Sequence, residues 1–250
     1  MITLQNVSKT FFSGLPSEVL AVQNISLNLK EGEMVVLAGN NGSGKTTLLN
    51  ILSGTLLPDK GKIIYNGKDI TDLQEYKRAA FISRIFQNPL AGTAPKLTVA
   101  ENFRLAALRS QNKKLSIGLT KRFKEDIAGK IASLQLGVEN KLNTPIGRLS
   151  GGQRQALSLL MASMSGAKIL LMDEPAAALD PKTGALVMNL ANSIIRENNM
   201  TSVLVTHHIK DMLHYGNRLL FMSEGSITKD ISAEEKQKLT ANDILSWFEE

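Results

Sequence analysis

The chain has 250 residues, with 29 Lys plus Arg against 23 Asp plus Glu and a formal charge of +6. Hydrophobic residues make up 43% and charged residues 21%, an ordinary globular composition with room for a sizeable core, which excludes intrinsic disorder. The absence of cysteine excludes disulfide scaffolds, thiolate zinc sites and cysteine nucleophiles, and three histidines leave little material for a histidine-rich metal cage.

Residues 2–7 and 25–29 alternate apolar and polar, which predicts half-buried antiparallel strands. Met34-Val35-Val36-Leu37-Ala38 does not alternate, the mark of a strand covered on both faces. It runs into a glycine-rich turn and then Thr47-Leu48-Leu49-Asn50-Ile51-Leu52, which reads as a helix, so strand, glycine loop and helix open an α/β unit. From about Pro89 to Gly166 the pattern is helical. Thr98 and Glu101 have capping-box spacing, and Phe123, Ile127, Ile131 and Leu134 recur at helical intervals over 121–136. Strands then alternate with helices again: 169–172, a helix capped by Asp180 with Pro181 in its first position, 202–205, a helix from about Ile209, and 218–222. Right-handed crossovers on such strands predict a mostly parallel sheet. Trp247 and Phe248, near the end, are expected to pack on the core.

Charge is concentrated. Between 104 and 141 lie nine Lys or Arg against Glu125, Asp126 and Glu139, which accounts for the whole net charge. Such a patch fits a nucleic-acid footprint, an anionic membrane surface or a solvated helix face, and aromatics for base stacking are limited to Phe103 and Phe123. No apolar run approaches the roughly 18 residues of a bilayer-spanning helix. Met1-Ile2-Thr3-Leu4-Gln5 lacks the layout of a secretory signal, so a soluble protein kept in the cytoplasm is expected.

Three constellations carry chemistry. Gly39-Asn40-Asn41-Gly42-Ser43-Gly44-Lys45-Thr46 fits G-x-x-x-x-G-K-[ST], a phosphate-binding loop whose glycines turn successive N–H groups toward phosphate oxygens. The helix that follows adds the positive end of its dipole. Lys45 is suited to the β and γ phosphates and the Thr46 hydroxyl to Mg²⁺. Chance produces the four fixed positions in roughly one chain in a hundred of this length, and here they fall between a strand and a helix, where the mechanism needs them. Next, Ile169-Leu170-Leu171-Met172-Asp173-Glu174 reads as a buried strand ending in two carboxylates. Alone, that is a common solvated strand end. In a chain with a phosphate loop, Asp173 suits Mg²⁺ and its water shell, and Glu174 suits the polarisation of an attacking water. Last, in Arg148-Leu149-Ser150-Gly151-Gly152-Gln153 the serine caps a helix through Leu157 and Leu160, and the glycines leave its first N–H groups uncovered. That is either a cap followed by a flexible turn or a second anion site, which is most simply explained as completing a nucleotide site on another copy.

Taken in order, the motifs at 39–46, 149–153 and 169–174 resemble those of the ATP-binding cassette family, specifically the ATPase subunits of ABC transporters, over nearly the whole chain. The resemblance implies an α/β fold: a P-loop NTPase (RecA-like) core with an N-terminal antiparallel β subdomain and an inserted α-helical subdomain. Residues 1–250 then form one domain, with 1–88 and 166–250 as the core including its β part, and 89–165 as the helical subdomain. It implies ATP and Mg²⁺ as cofactors. Phe11 takes the place of the aromatic that stacks on adenine, with Phe12 its rival, and the loop residues with Thr47 hold the phosphates. Gln87 corresponds to the glutamine that reaches Mg²⁺ and water and couples to the membrane partner. Glu174 is the implied base, Asp173 with Thr46 the metal side, and His207, beside His208, the histidine that contacts the γ-phosphate. Ser150, Gly151, Gly152 and Gln153 close on the ATP of a second subunit, and Asp180 belongs to the loop between subunits.

The partners implied are a second copy in a homodimer, separate integral-membrane permease subunits whose coupling helix docks near Gln87, and an extracytoplasmic substrate-binding protein, with no nucleic acid. The place implied is the cytoplasmic face of the cell membrane. DNA-repair and chromosome ATPases with related heads need coiled-coil arms for which the stretch from Lys45 to Asp173 has no room, and translation-factor relatives carry two cassettes where this chain has one. Residues 86–104, with Leu90-Ala91-Gly92-Thr93-Ala94-Pro95 after Gln87, resemble ATPases of binding-protein-dependent importers for aromatic amino acids or similar small solutes. The opening Val7-Ser8-Lys9-Thr10-Phe11 also resembles ATPases of lipoprotein-release and macrolide-type exporters, the alternative.

Overall fold

The computed structural model describes residues 1–109, 118–134 and 136–249. Along the chain run β1 (Ile2–Phe11), β2 (Val19–Leu29), β3 (Met34–Gly39), α1 (Lys45–Ser53), β4 (Lys60–Tyr65), β5 (Lys68–Asp69), α2 (Glu75–Arg78), β6 (Ile82–Ile85), α3 (Val99–Ala107) and α4 (Lys121–Ala132). A 3-10 turn (Ile146–Arg148) precedes α5 (Gly151–Met164), followed by β7 (Ile169–Asp173), α6 (Pro181–Glu197), β8 (Thr201–Val205), α7 (Ile209–His214), β9 (Arg218–Ser223), β10 (Ser226–Ile231), α8 (Ala233–Lys236) and α9 (Ala241–Glu249). Two compact units emerge: Met1–Arg78 with Asn199–Glu250, and Ala79–Asn198. The second holds all of residues 89–165 together with β6, β7 and α6.

In the first unit, β2-β1-β4-β5 form an antiparallel sheet. Alternation buries Ile2, Leu4 and Val7 on β1 and Ile25, Leu27 and Leu29 on β2. Both strands extend well past the predicted 2–7 and 25–29. The reason is local: Asn6 and Asn24 sit at φ +50 and +46, and the β1–β2 register shifts near them. Each bulge moves the following side chains to the other face and ends the period-2 signal without ending the strand. β3 has every residue buried, as its continuous apolar run predicts, and pairs in parallel with β8 and β9, while β10 runs antiparallel to β9. Phe221 of β9 receives Trp247 at 5.7 Å and Phe248 at 5.1 Å in edge-to-face contacts, seating α9 on the core as expected.

Arg78 is fully buried and donates five hydrogen bonds, to the carbonyls of Ile51, Leu52, Ile70, Thr71 and Leu73. Ile51 and Leu52 belong to the last turn of α1, whose carbonyls lack partners within the helix, so a cation there fills both the hydrogen-bonding deficit and the negative end of the dipole. Burial pushes the guanidinium down to about 10.

In the second unit, β6 pairs in parallel with β7, and the buried Ser83 and Ser165 hydroxyls meet at 2.9 Å. The helices share a core that includes Val99, Phe103, Ile127, Ile131, Leu157 and Leu160. α3 carries the predicted capping box, with Thr98 N–H donating to Glu101 Oε2 at 2.7 Å and Glu101 N–H to the Thr98 hydroxyl at 3.3 Å. α4 stops at Ala132, short of the predicted 136, capped at Ser133. In the basic stretch, Lys121 pairs with Glu125 at 3.8 Å and Lys130 with Asp126 at 3.4 Å. Phe103 lies in the core and Arg104 covers Phe123 at 5.4 Å. Lys113 and Lys114 lie outside the described residues.

Candidate functional site

The first unit carries the glycine-rich loop of residues 39–46 between β3 and α1. Gly44 is the N-cap of α1 at φ +100, and a Cβ there would fall 2.1 Å from the Ala21 carbonyl oxygen, so both conformation and space demand glycine. The helix begins at Lys45 rather than at the predicted Thr47, because a left-handed glycine cap leaves no polar N-cap signature to read. Lys45, Thr46 and Thr47 therefore form the first helical turn, which contains no acidic residue. Its N–H groups are the orphan donors that favour anions. The Lys45 ammonium donates to the carbonyls of Gly39 at 2.8 Å and Asn40 at 2.7 Å and to the Ser43 hydroxyl at 3.4 Å, so the cation lies within the loop.

In the same unit β8 is followed by Thr206, His207 and His208. Thr206 N–H donates to Leu37 O at 3.4 Å, its hydroxyl donates to Asp211 Oδ2 at 3.4 Å, and His208 N–H donates to the Thr206 hydroxyl at 3.1 Å. Both imidazoles are exposed, with ring centres 4.2 Å apart. His208 is the N-cap of α7 and His207 lies just before the helix. Phe11 closes the β1–β2 ladder opposite Val19 and is half-buried, whereas Phe12 lies beyond the last pair at φ +55 and is 63% exposed.

The second unit carries the acids. Asp173 is the last residue of β7, a strand buried throughout, and Glu174 turns the chain at φ +46. The end of β6 supplies a partner for each. Arg84 Nη2 donates to Asp173 Oδ2 at 3.2 Å, with side-chain exposures of only 9% and 12%. Gln87 Nε2 donates to Glu174 Oε2 at 3.3 Å. Arg84 was not among the residues singled out in the sequence, though an arginine inside Ile82-Ser83-Arg84-Ile85 is itself a signal, since a buried cation needs an acidic partner.

The helix end at Ser150 is also in this unit. Ser150 and Gln153 form a reciprocal capping box, the Ser150 hydroxyl accepting from Gln153 N–H at 3.3 Å and Gln153 Oε1 accepting from Ser150 N–H at 3.2 Å. The cap thus engages the Gln153 N–H, as the expected role of Ser150 implies. Gly152 has a packing reason to be glycine: a Cβ there would lie 2.1 Å from Thr183 Cγ2. Thr183 belongs to the first turn of α6, where Thr183 N–H donates to Asp180 Oδ1 at 3.1 Å. The bonds from Thr183 hold the Asp180 carboxyl below its ordinary value.

Residues 22–177 match the ABC transporter family model. The chain belongs to this family. It is 40% identical over 250 residues to a tyrosine transport ATP-binding protein of Clostridioides difficile strain R20291, spanning 100% of this chain and 99% of that one. It is 34% identical over 238 residues to a macrolide export ATP-binding/permease protein of Campylobacter fetus subsp. fetus strain 82-40, a match that covers 92% of this chain and 34% of that longer one. Among solved structures, a dimeric bacterial ABC transporter cassette superposes with a TM-score of 0.80 at 31% identity, over 93% of this chain and 99% of that one. The protein is thus an ABC ATPase with the P-loop NTPase fold, the ATP-binding component of a transporter, in a family whose cassettes dimerise and work with membrane permease subunits. Among the described residues no helix is long and apolar enough to cross a membrane.

Proposed function

We propose that the chain energises uptake of an aromatic or other amino acid through separate permease subunits at the cytoplasmic face of the membrane, served by an extracytoplasmic substrate-binding protein. The observation that carries this reading is the end-to-end 40% identity to a protein named for tyrosine transport. The test is reconstitution of the cassette with its permease in proteoliposomes. Binding protein loaded with tyrosine should stimulate phosphate release severalfold over empty binding protein, and equal rates would remove the importer reading. The relative named for macrolide export favours a second reading, an exporter ATPase, in which no binding protein changes the rate.

In the proposed cycle Phe11 stacks on adenine, residues 39–46 and Thr47 wrap the phosphates with N–H groups, and Lys45 exchanges loop carbonyls for phosphate oxygens. Ser150, Gly151, Gly152 and Gln153 present the capped end of α5 to the nucleotide of a second copy, with Asp180 nearby at the start of α6. The Glu174 carboxylate takes the proton of an attacking water and His207 orients toward the γ-phosphate. Pairing of two copies draws the permease subunits together, and hydrolysis releases them.

The donors suit a hard dication: the Thr46 hydroxyl, the Asp173 carboxylate and the Gln87 amide oxygen are oxygen ligands. Among the described residues no group of three or more His, Asp or Glu is able to hold a metal ion unaided, which suits an ion that arrives with phosphate oxygens of its own. Bound with the nucleotide, Mg²⁺ would supply positive charge against the phosphate oxygens.

A further inference from the structure

We propose that Arg84 is the resident counter-ion of Asp173 and competes with the divalent cation for that carboxylate, so that Arg84 sets the cation concentration at which the nucleotide site loads. The inference rests on the reading of Asp173 as a cation ligand.

Asp173 closes a strand buried over its whole length, where an unaccompanied carboxylate is strongly disfavoured. Arg84 answers that need from the neighbouring strand at 3.2 Å, the two side chains being almost wholly removed from solvent. In the same position its guanidinium also lies over the Phe86 ring, with 4.6 Å from Cζ to the ring centre. Phe86 is itself tethered, since Gln155 Nε2 donates to its carbonyl oxygen at 3.0 Å. The cation thus has a defined place to remain when its hold on the carboxylate is challenged. A dication coordinated by Asp173 would share the same carboxylate with an adjacent positive charge, and like charges at such range repel. The neighbouring acid is treated differently: Glu174 receives a neutral amide from Gln87, so the two consecutive carboxylates meet different partners from one strand end. Charge compensation by Arg84 stabilises the fold around Asp173 and opposes cation loading at the same time. It is a positioning residue, acting through Asp173.

The test is a cation-binding measurement, made in the Glu174→Gln background with stoichiometric ATP so that turnover does not enter. Free Mn²⁺ is followed by electron paramagnetic resonance during titration. Arg84→Gln and Arg84→Met should bind Mn²⁺ more tightly, by about tenfold, the effect of one nearby unit charge on a dication even at the dielectric of water. Arg84→Lys, which keeps the charge, should stay within about twofold of the parent. Unchanged or weaker Mn²⁺ binding in the neutral variants overturns the proposal. If neither neutral variant folds, Arg84→His decides: relative to the parent at each pH, its Mn²⁺ affinity should rise severalfold from about pH 5.5 to about pH 8 as the imidazole loses its charge, and a constant ratio overturns the proposal. Asp173→Asn separates the two readings. If Asp173→Asn binds Mn²⁺ as the parent does, Asp173 is not a cation ligand. If it weakens binding while Arg84→Gln changes nothing, only the Arg84 proposal falls.

Discussion

Gln87 and Glu174 touch directly, amide Nε2 to carboxylate Oε2 at 3.3 Å. The contact joins the end of β6 to the residue after β7 and gives Glu174 a neutral donor. The positive φ of Glu174 contributes as well, since it turns the chain off β7 immediately after Asp173 and lets the two acids meet separate partners.

Glu174→Gln should keep ATP binding and lose turnover. Removing a positioned base typically costs about 10²- to 10⁴-fold in rate. Phosphate release measures the loss, and gel filtration with ATP should show a dimer that does not return to monomer. Hydrolysis at the parent rate would remove Glu174 from the base role.

Lys45→Ala should weaken nucleotide binding itself. The ammonium is held by two carbonyls and one hydroxyl of the loop, so the variant loses both the charge and the brace that shapes the loop. Hydrogen bonds to charged groups contribute about 1.5–3 kcal/mol, roughly tenfold to a hundredfold in affinity, which calorimetric titration with ADP would read. Affinity within a factor of two of the parent would contradict the assignment.

Gly152→Ala should destabilise the chain through overlap with Thr183 Cγ2, which lies 2.1 Å from where the new Cβ must go. Overpacking of this kind costs about 1–3 kcal/mol, seen as a lower urea midpoint. Adding Thr183→Ser deletes the offending methyl and should restore most of the loss. A double variant no better than the single one would show that the collision is not the cause.

Lys236 gives a pH signature. Its buried ammonium donates to the carbonyls of Tyr215 and Gly216, and burial pushes it down to about 8 from an ordinary 10.5. A group with a lowered native pKa binds fewer protons in the folded chain than in the unfolded one between those values, so stability rises with pH across that window. Unfolding free energies from denaturant titrations should therefore increase from about pH 8 to pH 10, relative to Lys236→Met, in which this increment is absent. Parallel profiles for the two proteins would contradict the assignment.

Much of the fold was legible because it is encoded in short, local patterns. The unbroken apolar run of β3 and the capping residues Thr98, Ser150 and Asp180 each depend on neighbours within a few positions, and each appears in the structure. Strand lengths in β1 and β2 were less legible, since bulges at Asn6 and Asn24 scramble alternation without breaking the ladder. The start of α1 was misjudged for a related reason, a glycine cap having no side chain to announce it.

The amino-acid order by itself therefore determined the fold class and the chemical groups available: a glycine-rich loop with a lysine, two consecutive acids, a capped glycine-rich helix end and a histidine after a strand. Only the tertiary structure decided who touches whom. Arg84 meets Asp173 across 89 positions and Gln87 meets Glu174 across 87, and Arg78 reaches the end of α1 from beyond β5. Such pairings depend on strand register and burial, which raise the cost of a lone charge until one partner becomes obligatory, and no window of neighbouring residues contains that information.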